Sequence, residues 1–287
     1  GFPGDGTRPR IDLAADLGDV QVSLAHGFWV HHLMPKTTVQ WLDAALRGGT
    51  LHDIHAVVTG DLDDWPFRTE LAGPGQGRHG AGMFRVDARM RGGVLKFQPD
   101  WPAAENLDAD LRFEADGFTV VGRSRIAGVP VSSFKAGITH FRRAELTVDA
   151  AAAGDARELL GLLRASPLQK TYGATMDSLR VAGPAQAQFH MLLPFHHDRP
   201  PPRDIHGDVV LSGATLREER WKLAFDQVRG KASYDNSGFA AEGLQVRHEG
   251  RPGVLALRAG PHVRDSAHAF EAELDAQIDI DSLLDKT

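Results

Sequence analysis

Asp61, Asp63 and Asp64 crowd one short stretch and could in principle hold a cation or move a proton. An EF-hand loop would need acidic ligands at alternating positions, then glycine, then a distal glutamate. Trp65-Pro66-Phe67 follows instead. A glycosidase pair can draw its two carboxylates from distant strands, but nothing in the sequence singles out such a pair. The stretch is expected to be a solvated turn. Gly75-Gln76-Gly77-Arg78-His79-Gly80 matches G-x-G-x-x-G letter for letter. A dinucleotide site needs a helix after those glycines, so that its N-terminus meets the pyrophosphate. Here Met83 to Ala88 alternates like a strand, and a plain glycine loop is expected. The chain has 14 histidines. His31-His32 and His196-His197-Asp198 could touch a metal, but neighbours on a strand point to opposite faces. His52 and His55 also face apart if that stretch is extended.

The chain has no cysteine. Disulfides, thiolate metal sites and cysteine nucleophiles are excluded together, and a zinc site would need other ligands to converge from distant segments. No G-x-S-x-G elbow occurs, since Gly122-Arg123-Ser124-Arg125-Ile126 lacks the second glycine. P-loop and H-E-x-x-H motifs are absent as well. No catalytic residue, no metal ligand and no cofactor is assigned, and an enzyme is not expected. A net charge of -6 and a pI near 6.2, without any Lys/Arg run, argue against nucleic acid as a partner.

The elements that would position any site are mostly strands. Phe270, Ala272, Leu274, Ala276, Ile278 and Ile280 share one face, and Glu271, Glu273, Asp275, Gln277 and Asp279 share the other. That is the period of a half-wet strand, which suits antiparallel sheets. The pattern recurs at Ile11, Leu13, Ala15 and Leu17, at Ala185, Ala187, Phe189, Met191 and Leu193, and at Trp221, Leu223 and Phe225. Asp116-Gly117 marks a two-residue hairpin. Asn236-Ser237-Gly238 and Glu249-Gly250 mark two more. Arg199 to Arg203, with three prolines between, must be an exposed connection. Trp65-Pro66 and Trp101-Pro102 should pack an indole across a sheet end while proline stops further pairing.

Two complete short helices are expected, near 38–47 and 156–165. Thr37 or Thr38 would cap the first and Gly48 would end it. Asp155 with Glu158 opens the second, and Pro167 closes it. A third would begin at Asp281 with Leu283-Leu284. These starts recur at roughly 120 residues, on the scale of structural repeats. Ala144-Glu145-Leu146 and Ala272-Glu273-Leu274 introduce two of them in similar text. The expected organisation is therefore 1–49 as the end of one β-unit with its closing helix, 50–170 as a full unit with a C-terminal helix, and 171–287 as a second unit cut at its helix. The fold class is mainly β: a long antiparallel sheet with a few short helices.

Gly60-Asp61-Leu62-Asp63-Asp64-Trp65-Pro66-Phe67 resembles the "GDL…PF" element of YhdP-like proteins, of the AsmA-like group that includes TamB. Gly82-Met83-Phe84 follows in the same order, then Leu95 to Pro102 (LKFQPDWP), Leu107 to Phe113, Val129-Pro130-Val131 and a helix ending Ser166-Pro167-Leu168. Trp41-Leu42 and Ala45-Leu46 upstream also fit. The resemblance covers about residues 35–170 well and thins toward the C-terminus. It implies a long curved antiparallel sheet forming an apolar groove, and a periplasmic parent anchored in the inner membrane of Gram-negative bacteria. Phospholipid acyl chains would be its partners, with other envelope proteins possible, and phospholipid transport its role. It brings no catalytic residues.

No apolar stretch here reaches the roughly 20 residues of a membrane span, and no signal peptide is present. Both ends read as cut from something longer. Under the groove reading, the lining is Ile11, Leu13, Leu17, Phe113, Phe189, Met191, Leu223, Phe225, Leu274, Ile278 and Ile280. An apolar sheet face must be covered or offered to something. Acyl chains would cover it at about 0.8 kcal/mol per buried CH₂, and a second sheet would cover it equally well. The competing role is a non-catalytic structural or interaction module of the envelope.

Overall fold

In the computed structural model, residues 9–28, 36–67, 82–143, 145–166, 168–194, 204–265 and 267–276 are described. Their strands are β1 (Arg10–Leu17), β2 (Val20–Gln21), β3 (Leu46–Asp61), β4 (Met83–Leu95), β5 (Ala104–Glu114), β6 (Gly117–Ile126), β7 (Val129–Ile138) and β8 (Glu145–Asp155). They continue as β9 (Leu179–Ala182), β10 (Pro184–Pro194), β11 (Asp204–Glu218), β12 (Leu223–Asp235), β13 (Phe239–His248), β14 (Arg251–Ala259) and β15 (Phe270–Ala276). Three helices interrupt them: α1 (Lys36–Ala45), α2 (Ala156–Arg164) and α3 (Leu168–Ser178). All 15 strands belong to one sheet, ordered β1-β3-β4-β5-β6-β7-β8-β10-β11-β12-β13-β14-β15, with β2 on β3 and β9 on β11. Every pairing is antiparallel. The mainly β expectation holds. β10 and β11 pair on either side of the proline-rich segment, so the sheet runs on past it.

The sheet is strongly coiled. Val39 and Leu42 of α1 pack in one cluster with Phe118 of β6, Ile138 of β7, Leu146 of β8 and Met191 and Leu193 of β10. α1 leads directly into β3, and β10 lies six strands from β3. On a flat sheet that would be roughly 29 Å, at about 4.8 Å per strand. A ten-residue helix is only about 15 Å long, so β10 must curl round to meet it. Bulges bend the strands, with register shifts in β3–β4, β4–β5, β5–β6 and β6–β7, and the tight turns fit the twist. Glu249-Gly250 turns with both φ positive, 52° and 80°, and Ala127-Gly128 does the same at 50° and 86°, the geometry that matches strand twist.

Local details differ from expectation in four places. α1 starts at Lys36, so Thr37 and Thr38 lie in its first turn, and the chain passes into β3 at Leu46, ahead of Gly48. The hairpin near Asp116 turns on Ala115-Asp116, with Ala115 at φ 50°, and Gly117 already pairs with Glu114. Asp116 is instead drawn inward, where its carboxylate meets His140 Nδ1 at 3.1 Å. α3 has no counterpart among the expected helices. His52 and His55 share a face, because Asp53 at φ 49° forms a bulge: His52 pairs with Arg89 and His55 with Asp87. One extra residue in a strand reverses its alternation from that point on. The start of α2 is as expected, with Asp155 accepting from Arg157 N at 2.8 Å. The expected third helix, the 75–80 glycine loop, His31-His32, His196-His197-Asp198, the 199–203 connection, Ile278 and Ile280 all lie outside the described residues.

The outer face is polar and laced with pairs. His52 meets Asp19 at 2.7 Å, His55 meets Asp16 at 2.6 Å, and His190 meets Asp149 at 2.7 Å. Arg258, 3% exposed, is surrounded by Glu242, Glu271 and Glu273. Burial alone would raise the pKa of Asp87, but Arg85 and Arg112 outweigh it and hold the carboxyl below its ordinary value. Glu218 behaves alike: burial is outweighed by hydrogen bonds from Ser178, Arg220 and the Trp221 N–H. At Asp208 the Ser233 and Lys231 bonds lower the pKa directly.

A carboxyl depressed in the folded state stabilises fully above its unfolded pKa, and that stability is lost as pH falls through the folded value. Melting temperature is therefore expected to fall on acidification below about pH 4, the ordinary carboxyl range. Glu218→Gln should lower it at neutral pH and make the acid fall shallower. A melting temperature unchanged down to about pH 2 would contradict this.

Candidate functional site: an apolar trough with a cavity

The inner face is mostly apolar; at the β11–β12 tip Glu218 lies on it, two residues on from Leu216 and opposite Leu223. Direct cross-strand partners form a row running Leu51, Met90, Ala109, Gly122, Phe134, Ala150, Phe189, Gly207, Tyr234, Phe239, Ala259 and Phe270. A parallel row runs Ala88, Leu111, Val120, Ala136, Val148, Met191 and Ile205. Directly opposed residues project from the same face, so these rows line one continuous concavity. Within these two rows Tyr234 is the polar exception. Burial pushes its hydroxyl pKa up, and the hydroxyl reaches over β11 to donate to Gln188 O at 2.9 Å. Gly207 makes the crossing possible, since a β-carbon there would meet Tyr234 Oη at 2.5 Å.

The trough is covered differently along its length. Over β11–β15 it is sealed. The β11–β12 tip bends across until Trp221 stacks on Phe270 at 5.8 Å. Phe225, Val228, Leu244 and Leu255 are buried beneath. Near β7, β8 and β10, Ala156 and Leu159 of α2 pack with Val129 and Ala185. Between β4 and β10 the cover is α1 and the 96–103 connection. Lys96 N donates to Ala45 O at 2.7 Å and Trp41 Nε1 to Phe97 O at 2.8 Å. Trp101 packs on Phe97 at 5.7 Å and on Phe189 across the trough at 6.0 Å. At the β1 edge the face is bare, with Leu13 50% and Leu17 41% exposed.

Under α1 a cavity of about 150 Å³ remains. Trp41, Leu42 and Phe97 line it on the cover side; Phe113, Phe118, Val120, Phe189 and Met191 are among those lining it on the sheet side. One serine, Ser124, interrupts an otherwise apolar wall. Such a cavity offers water too few partners to be filled comfortably, and suits an apolar ligand.

The candidate lining residues thus part company. Phe113, Phe189 and Met191 meet at the cavity. Leu223, Phe225 and Leu274 belong to the sealed C-terminal cluster. Ile11, Leu13 and Leu17 sit at the open edge, opposite Gly60, Val58 and Ile54. Alternation could not reveal Trp41, Leu42 and Phe97, which come from a helix and a connection. A hydrophobic helix face next to an aromatic-rich connection was their signal.

The acidic stretch proves to be architecture. Asp61 caps a 3-10 turn at 62–64, accepting from Asp63 N at 3.0 Å. The turn aims Trp65 at Phe84, with ring centroids 4.9 Å apart, and folds Phe67 over Gly60 and Gly82. A β-carbon on Gly60 would meet the Phe67 ring at 2.7 Å. Trp101 likewise packs across the sheet as expected. Among the described residues no group of three or more His, Cys, Asp or Glu is placed to hold a metal. Among the described residues no helix is long and apolar enough to cross a membrane. A polar hollow of about 540 Å³ lies at one end of the sheet, where Asp116 is engaged by His140 and Arg112 by Asp87.

A family model described as "YhdP protein" matches residues 2–287. The chain belongs to the YhdP family. It is 26% identical over 268 residues to the "Intermembrane phospholipid transporter YhdP" of Escherichia coli (strain K12). That alignment takes in 93% of this chain and 20% of the relative, so the chain spans about a fifth of that protein's length. No solved structure matches. The family assignment extends the resemblance seen over residues 35–170 to nearly the whole chain, and the single antiparallel sheet is the fold that resemblance implied.

Proposed function

We propose that this chain is a periplasmic segment of an inner-membrane-anchored envelope protein, and that its apolar trough carries phospholipid acyl chains between the two membranes. The observation that carries the reading is the row of non-charged inner-face residues over β3 to β10, from Leu51 to Phe189, which borders the cavity under α1. An acyl chain needs a continuous apolar path and no catalyst, and the role requires no enzyme activity. The transporter name of the E. coli relative supports it. The sealed core over β11–β15 favours a structural role for that half. Candidate lining in the open half is Phe113, Phe189 and Met191, continued toward the edge by Ile11, Leu13 and Leu17.

The unit boundaries 1–49, 50–170 and 171–287 belong to the same proposal. α1 precedes six sheet-forming strands, β3 to β8, and α2 with α3 precedes six more, β10 to β15. A superposition in which the two runs fail to match strand for strand would refute the repeat.

Native mass spectrometry of the purified chain, followed by lipid extraction, tests the function. Co-purified phospholipid released on unfolding is expected. A chain that carries none, and takes up none from vesicles of phosphatidylethanolamine and phosphatidylglycerol, would leave the structural reading in its place.

A further inference from the structure

The cavity under α1 is short, about 150 Å³. An apolar cavity of that volume stays dry and holds a guest the size of benzene, about six carbons. A phospholipid brings two acyl chains and a polar head, far more than fits. The trough around the cavity is already filled by the protein itself. On the β3–β5 side Val22 is buried with Met90, Leu107 and Ala109. Near β7, β8 and β10 the α2 helix packs on Val129 and Ala185. Beyond β10 the C-terminal cluster occupies the face. The cavity wall is carbon at both ends of β6. Phe118 lines one end, and at the other Val131 lies opposite Ser124 and Phe134 opposite Gly122. An ester or phosphate drawn inside would exchange its water partners for carbon, which is unfavourable.

We infer that the cavity is a chain-end site: it takes the terminal methyl and about the last six carbons of one acyl chain, and leaves the ester, the headgroup and the second chain outside the α1 cover. The inference rests on the acyl-chain reading above and adds which part of the lipid enters and how many chains enter at once. Met90 and Met191 in the wall are unbranched and adaptable, so the site can follow chain ends of differing shape.

Isothermal titration of the intact chain with straight 1-alkanols, from butanol to decanol, reads the length of the site. Each carbon that enters should tighten binding about 4-fold, the equivalent of about 0.8 kcal/mol. The gain should stop at about six carbons, with longer alkanols binding no tighter. Ala136 lines the cavity opposite Val120 and Val148, so Ala136→Leu adds side chain there and should level the series at a shorter alkanol. Phe189→Ala opens the cavity and should level it at a longer one. Where a variant does not melt cooperatively, the wild-type series and the other variant decide. Affinity that climbs steadily through decanol, or a plateau that no folded variant moves, would overturn the chain-end site while leaving the trough reading intact. If the wild-type chain binds no alkanol, the trough reading fails and the chain-end site fails with it.

Discussion

Phe225→Asp is expected to abolish cooperative folding, whereas Phe189→Asp should leave a folded chain that no longer holds lipid. Alternation places both aromatics on apolar faces, and their surroundings separate them. Phe225 is 3% exposed inside the sealed cluster of β11–β15. Losing a buried phenylalanine costs about 3–5 kcal/mol, and a carboxylate without a partner adds several more. That sum approaches the whole stability of an ordinary domain, about 5–15 kcal/mol. Phe189 lines the cavity and is only partly buried. A carboxylate there has open space beside it and can draw in water. Its melting point should fall less than that of Phe225→Asp, while the charge repels any acyl chain. Thermal melts and lipid extraction on both variants decide the matter. Equal unfolding of the two would mean that the cavity is as sealed as the C-terminal core.

Trp101→Ala is expected to lower the melting temperature by roughly 10 °C, from a loss of about 3–5 kcal/mol at about 2–4 °C per kcal/mol for a chain of this size. Trp101 is 7% exposed and touches both Phe97 and Phe189. Its removal unfastens the connection from the far wall, so binding of an apolar dye to the folded protein should rise at the same time. A variant with wild-type melting and dye binding would show that α1 alone holds the cover in place.

Much of this fold was legible because a half-wet strand writes its two faces into alternate residues. Ala185 to Leu193 is the clearest case: it reads as a strand and forms β10. Asp155 announced α2 through a side-chain cap that needs no tertiary partner. α3 had no such announcement. Its text includes Thr171, Gly173 and Thr175, poor helix formers, and its end is secured from outside. The Arg164 guanidinium of α2 donates to Met176 O and to Leu179 O. That contact exists only once the two helices meet. The bulge at Asp53 was equally hidden, because the turn signals of a sequence do not say which residue of a long strand will take a positive φ. The cavity was half legible. Phe113, Phe189 and Met191 could be placed on apolar faces, but their convergence depends on how far the sheet coils. The cover of Trp41, Leu42 and Phe97 depends on where α1 comes to rest.

The most direct measurement is photo-crosslinking from inside the trough in living cells. A benzoylphenylalanine in place of Phe189 reports on the inner face, and one in place of Val121, 48% exposed on the outer face, serves as control. The account predicts phospholipid adducts at position 189 and none at position 121. Adducts at neither position, or at both alike, would contradict it.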